Sequence, residues 1–207
     1  MKRMLFVVLA MFLAVSLGAC QSGIVADVEH TIGFYNLFGE TTELIRKNID
    51  FGNTEGVING KETTYTFPCM KNDEGFVKKE LVFYNDILMS EKTYFSDVGK
   101  AYNFAKGYRE TFEANYGEKD TYPEITLKNA DFFDDISGVE SLKENCVYYE
   151  DYTVTVADQT TERPWLNKEK AEKMLDGRQF SRIDLRLELT VHAKDAASVS
   201  VRYIVVP

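Results

Sequence analysis

Histidine is nearly absent from this 207-residue chain, which has only His30 and His192. There is no H-x-x-x-H and no C-x-x-C spacing, so neither a zinc centre nor a histidine-based triad is expected. The phosphate-cradling G-x-x-x-x-G-K-[ST] loop and the G-x-S-x-G nucleophile elbow are missing as well. A Cys69 or Cys146 nucleophile served by either histidine would match no cysteine-enzyme signature. Positive charge is also short, with 24 Lys and Arg against 33 Asp and Glu and a net charge of −9. That balance disfavours nucleic acid and anionic headgroups, which need a basic footprint. No repeat and no low-complexity segment occurs. What the chain does have is aromatic material, 14 Phe and 12 Tyr, enough for a packed core and for strands.

The first twenty residues, MKRMLFVVLAMFLAVSLGAC, have a different character. Lys2 and Arg3 precede an apolar run from Met4 to Val15, and the small residues Gly18 and Ala19 stand before Cys20. This is the layout of a secretory signal, and the run is shorter than the roughly 20 residues a membrane-spanning helix needs. The segment Leu17-Gly18-Ala19-Cys20 resembles the lipobox of bacterial lipoproteins. The resemblance implies cleavage before Cys20 and two or three acyl chains on that residue. Stable anchoring takes two lipid signals, so such a residue would hold the protein on a membrane durably. Position 21 is Gln rather than the Asp that favours inner-membrane retention in enterobacterial lipoproteins. The expected location is therefore the outer membrane in a Gram-negative cell, or the outer face of the cytoplasmic membrane in a Gram-positive one. Residues 1–19 are read as the signal, 20–26 as a short tether and 27–207 as one domain, with 118–140 the place where it would divide.

In a non-cytosolic compartment Cys69 and Cys146 are candidates for a disulfide worth about 2–4 kcal/mol, with two packed thiols as the alternative. Each lies in a strand-like segment.

Val28, Ile32 and Tyr35 fall at helical spacing, and a second helix is expected from Thr41-Thr42-Glu43 through Leu44, Ile45 and Ile49, ended by Gly52. The period then changes. Gly56-Val57-Ile58-Asn59-Gly60 predicts a hairpin with Asn59-Gly60 at the centre of a type I′ turn. Tyr65, Phe67 and Cys69 alternate with polar neighbours up to Pro68, and strands follow over 76–84 and 87–95 across an Asn85-Asp86 turn. Ser96 or Asp97 caps the best helix, in which Val98, Ala101, Tyr102, Ala105, Tyr108, Phe112 and Tyr116 recur at intervals of three and four before Gly117. Its tyrosine stripe is read as core rather than as a stacking surface. A strand over 145–156 and a short helix from Asn167 through Leu175, closed by Gly177, precede two strands over 180–192 and 198–206. In the first of these, Ile183, Leu185, Leu187, Leu189 and Val191 alternate with charged residues, the signature of a sheet with one wet face. The expected fold is α+β, an antiparallel sheet of meander plus C-terminal hairpin with helices packed on one face.

The acids Asp131, Asp134 and Asp135 depart from the calcium-loop pattern and read as a solvated turn. Trp165, Arg163 and Tyr152 form a candidate stacking patch, with a lid on the core as the alternative. The order of elements, down to Tyr116-Gly117 and the I-x-L-x-L-x-L hairpin, resembles small α+β envelope lipoproteins and inhibitor-like modules. No functional residue transfers from it. The sequence thus points to a lipid-anchored, non-catalytic binding or accessory module, without metal or cofactor, meeting the membrane through Cys20 and an envelope protein as partner. A carboxylate-based hydrolase of envelope polymers and an inhibitor of an exported enzyme are the alternatives.

Overall fold

Alternation of period two, broken by turn residues, builds the seven-stranded sheet of this molecule. The computed structural model describes residues 26–28, 33–69, 75–116, 138–155 and 168–206. Strands β1 (Ala26–Asp27) and β2 (Ile49–Asp50) form a small parallel pair, with a 3-10 turn (Phe34–Leu37) and helix α1 (Thr42–Arg46) between them. Strands β3 (Val57–Asn59), β4 (Glu62–Pro68), β5 (Phe76–Tyr84) and β6 (Ile87–Phe95) run as an antiparallel meander. Helix α2 (Val98–Tyr116) follows, then a second 3-10 turn (Val139–Ser141), β7 (Cys146–Thr155), α3 (Lys168–Met174), β8 (Arg182–Ala193) and β9 (Ala196–Val206). The strands from β3 onward make one antiparallel sheet in the order β3-β4-β5-β6-β9-β8-β7. The β6–β9 pairing joins the meander to the C-terminal strands, so the two strand-rich blocks share a sheet.

The fold is the expected α+β arrangement. Inward residues Leu81, Phe83, Leu88, Leu185, Leu187, Leu189, Val199, Val201 and Tyr203 are almost fully buried, each large aliphatic contributing about 1.5–3 kcal/mol. Helix α2 lies across β6, β9 and β8, starting where the Lys100 N–H donates to Asp97 Oδ1 at 2.8 Å. Ala101, Ala105, Tyr108 and Phe112 are buried, so this stripe is core. Phe112 meets Tyr35 and Tyr152 edge-on at 4.8 and 5.3 Å. Among the described residues no helix is long and apolar enough to cross a membrane.

Two local expectations fail for identifiable reasons. In the amino-terminal helix pair, the described part of the first helix is a 3-10 turn, with Ile32 outside the described residues, and the second shortens to the five-residue α1, capped by Thr41 Oγ1 on the Leu44 N–H. Gly33 and Gly39 take φ of 86° and 87° on either side of the 3-10 turn, which interrupts any helix there. Ile49 pairs in β2 instead of extending α1. The β3–β4 turn is also displaced by one residue. Asn59 pairs with Glu62, so Gly60-Lys61 is the loop, and only Gly60 has positive φ, which is the type II′ pattern. The type I′ pattern occurs instead at Asn85-Asp86, where φ is 48° and 66°.

Candidate functional site

Strand register lays out the face of the sheet opposite α2. One row across it reads Lys78, Tyr94, Ser198, Thr190 and Val147. The next reads Glu80, Lys92, Ser200, Glu188 and Tyr149, and the third Val82, Ser90, Arg202, Arg186 and Asp151. Small hydroxyl residues on β9 therefore lie between longer charged and aromatic side chains on both sides.

The charges of this face are largely satisfied by one another. Lys78 Nζ donates to Glu80 Oε1 at 2.6 Å, and the Tyr94 hydroxyl donates to Glu80 Oε2 at 2.8 Å. Burial alone would push the Glu80 carboxyl up, but these two donors outweigh it and hold the carboxyl below its ordinary value. Burial and the same carboxylate push the Tyr94 hydroxyl up. Lys78 sits 4.1 Å and Lys92 5.1 Å from the Tyr94 ring centre, and His192 stacks beside that ring. Burial, then the Lys92 charge, lowers the His192 imidazole from 6.5, and its Nε2 lies 2.9 Å from Ser198 Oγ. Further along, Arg186 grips Asp151 through two bonds of 2.6 and 2.7 Å and caps the Tyr149 ring at 4.2 Å. Arg202 bonds Glu188, and Arg182 lies 3.2 Å from Asp184. Both aromatic rings at the two sides of this face are thus covered by cations rather than left bare for stacking.

A second polar group lies on the core face, beneath Val28 and the 3-10 turn. Glu91 and Lys79 occupy inward positions on β6 and β5 and are 3% and 2% exposed. Glu91 Oε2 accepts the Phe34 N–H at 3.0 Å, Oε1 accepts the Tyr108 hydroxyl at 2.8 Å, and the Tyr35 N–H also contributes. Lys79 Nζ donates to the Val28 carbonyl at 3.1 Å. A carboxylate at the start of the 3-10 turn satisfies backbone donors that the turn cannot. Burial pushes the Glu91 carboxyl up, opposed by the Lys79 charge and by these donors. Burial also raises the Tyr108 hydroxyl, helped by the Glu91 charge. Opposite-charge side chains from two neighbouring strands therefore hold Val28 and the Phe34–Tyr35 backbone to the sheet.

Glu150 is a second buried acid on this face, with Arg109 Nε at 3.4 Å and the Tyr152 hydroxyl at 3.1 Å. It shares a row with Glu91 through Val201 and Leu187. Three strand spacings of about 4.8 Å separate them by roughly 14 Å, beyond the 6.5–9.5 Å of paired glycosidase carboxylates. They are two separate structural acids.

The sequence candidates scatter. Cys20, His30, the Asp131, Asp134 and Asp135 run, Arg163 and Trp165 lie outside the described residues. Tyr152 is 4% exposed and packs on Phe112, so it contributes to core rather than to a surface patch. Cys69 and Cys146 are not joined in a disulfide. Cys69 follows β4 and Cys146 opens β7, with β5, β6, β9 and β8 between, whereas a disulfide needs Cα atoms about 5.5–6 Å apart. Among the described residues no three His, Cys, Asp or Glu side chains cluster as metal ligands. Lys79 and Glu91 were not among the sequence candidates, yet a signal for them existed. Lys79 shares parity with Leu81 and Phe83, and Glu91 with Thr93 and Phe95, so each is a charge written into an inward register. No protein-family model matches the chain, and neither curated proteins nor solved structures yield a match.

Proposed function

We propose that this protein is a lipid-anchored accessory module of the cell envelope, held outside the cytoplasmic membrane by acyl chains on Cys20 and binding another envelope component without catalysis. The observation that carries this reading is the paired-charge face of the sheet. Lys78–Glu80–Tyr94, Arg186–Asp151 and Arg202–Glu188 form pre-oriented donors and acceptors on rigid strands. Such a surface suits recognition, because its groups are ordered before a partner arrives. Proton transfer suits it less, since Lys78 and the Tyr94 hydroxyl hold the Glu80 carboxyl in its charged form. The contacts of Lys79 with Val28 and of Glu91 with Phe34 support the anchor side of the reading. A domain locked this soon after residue 20 stays close to the bilayer, since the tether of about six residues spans at most roughly 20 Å.

The test combines location with binding. Cys20→Ala is expected to release the protein from the membrane fraction. Arg186→Glu, which breaks the grip on Asp151, is expected to abolish co-purification of the envelope partner while leaving the anchor intact. Robust hydrolysis of an envelope polymer by the purified protein would overturn the non-catalytic reading.

A further inference from the structure

On the face of the sheet opposite α2 the ion pairs share one polarity, with the cation outermost. In Arg202–Glu188 the arginine side chain is 42% exposed against 11% for the glutamate, and in Arg186–Asp151 the values are 27% and 3%. Lys78–Glu80 and Arg182–Asp184 follow the same order. A partner approaching this face therefore meets ammonium and guanidinium groups, with the carboxylates sunk beneath them. The four pairs are neutral and Lys92 adds a positive charge, in a chain whose net charge is −9. Strand register arranges these cations. Lys78 on β5, Lys92 on β6 and Arg202 on β9 each lie one strand over and two residues along from the last, and Arg186 on β8 stands directly opposite Arg202. Like charges directly opposite one another destabilise a sheet. The Arg202–Arg186 placement thus costs the fold something that an anion between the two would recover. Donors remain for such an anion. Of five guanidinium N–H groups, Arg186 commits two to Asp151 and Arg202 commits one to Glu188.

We propose that this stripe binds an acidic, extended polypeptide segment of the envelope partner, with one carboxylate seated between Arg202 and Arg186 and others against Lys92 and Lys78. The inference names the chemistry of the partner assigned to this face above, and it rests on that reading. One strand over and two residues along is a step of about 8 Å. Alternate side chains of an extended chain recur about every 7 Å, a mismatch that flexible lysine stems absorb. Guanidinium groups form strong charge-assisted bonds with carboxylates. Arg186 is already fixed by Asp151 and the Tyr149 ring, and Arg202 by Glu188, so little side-chain freedom is left to lose on binding. A bilayer headgroup layer fits this face less well. The chain leading back toward Cys20 is held on the opposite face, where the inward Lys79 donates to the Val28 carbonyl. Attraction confined to one face also fixes orientation, since the acidic remainder of the chain repels the same segment.

Binding of a short fluorescent oligo-glutamate to the full-length protein, purified in an uncharged detergent, tests this. Fluorescence anisotropy should report binding at about 0.1 M salt and its loss near 1 M, where the Debye length falls to about 3 Å. Lys92→Gln combined with Arg202→Gln is expected to weaken binding about five- to ten-fold. Arg202→Lys, which keeps the charge, should weaken it less. Lys106→Gln, at an exposed position of α2, should leave it unchanged. Absence of binding, or equal weakening by Lys106→Gln, overturns the proposal. So does capture of inorganic polyphosphate, but not of oligo-glutamate, through the same residues, since that assigns the face to a phosphate-bearing partner. Arg186→Glu separates this inference from the reading beneath it. If it releases the envelope partner while the unchanged protein binds no oligo-glutamate, the envelope reading stands and the acidic class falls. If it abolishes oligo-glutamate binding while the envelope partner still co-purifies, the acidic specificity stands and the assignment of that partner to this face falls.

Discussion

Replacing Glu91 by Gln should uncouple the amino-terminal segment from the sheet. The carboxylate now accepts from Phe34 N–H and the Tyr108 hydroxyl and faces the Lys79 charge. Gln keeps the shape but turns an amide donor toward one of those donors, and it leaves the Lys79 ammonium buried without its countercharge. Breaking a buried ion pair from one side costs about 3–5 kcal/mol. With a urea slope near 2 kcal/mol/M, the midpoint should fall by about 1.5–2.5 M. The double variant Lys79→Met with Glu91→Leu removes the stranded charge and should lose much less than the sum of the two single changes. It should still be destabilised by a few kcal/mol, because Phe34 N–H, Tyr35 N–H and the Val28 carbonyl lose partners at about 1–3 kcal/mol each. Amide exchange localises the effect. Phe34 should lose protection in Glu91→Gln, while β8 and β9 keep theirs. A loss under about 1 kcal/mol, with Phe34 protection unchanged, would refute the pinning role of Glu91.

Two titrations test the outer face. Lys78 and Tyr94 hold the folded Glu80 carboxyl below 4.5, so its contribution to stability is present above that pH and is lost as pH falls through the lower folded value. Glu80→Gln should therefore flatten the acid limb of urea midpoint against pH below about 4.5, and an unchanged limb would contradict the assignment. His192 is held below 6.5 by burial and by Lys92. With only two histidines in the chain, its ring proton is readily assigned by NMR using His192→Gln. Its midpoint should lie below 6.5 and rise in Lys92→Gln; a midpoint at or above 6.5 in the unchanged protein would contradict the lowering by burial and Lys92.

The sequence made the meander, α2 and the terminal hairpin legible because each carries one period sustained over many residues. Val98 to Phe112 keep helical spacing, and Ile183 to Val191 alternate without a fault. Turn chemistry at Asn85-Asp86 set the matching register. The amino-terminal segment misled in its described part because Tyr35 is buried from a 3-10 turn bounded by Gly33 and Gly39, and Ile49 from strand β2, rather than from α-helices. The Asn59-Gly60 turn failed by one residue because Gly60 alone supplies the positive φ, which moves it to the first loop position. The charge pairs Arg186–Asp151 and Tyr94–Glu80 depend on which strands become neighbours. Strand order β6-β9-β8-β7 is not written in the periodicity of any one strand. Lys79 and Glu91 are the instructive case, since two inward charges of opposite sign on consecutive strands are a polar lock that strand parity alone makes visible.

Whether the chain is held at a membrane through Cys20 is decided most directly by mass spectrometry of the native amino terminus. The envelope-module reading predicts a mature protein that begins at Cys20 and carries the mass of two or three acyl chains on that residue. An unmodified Cys20, or a terminus created by cleavage elsewhere, would contradict it.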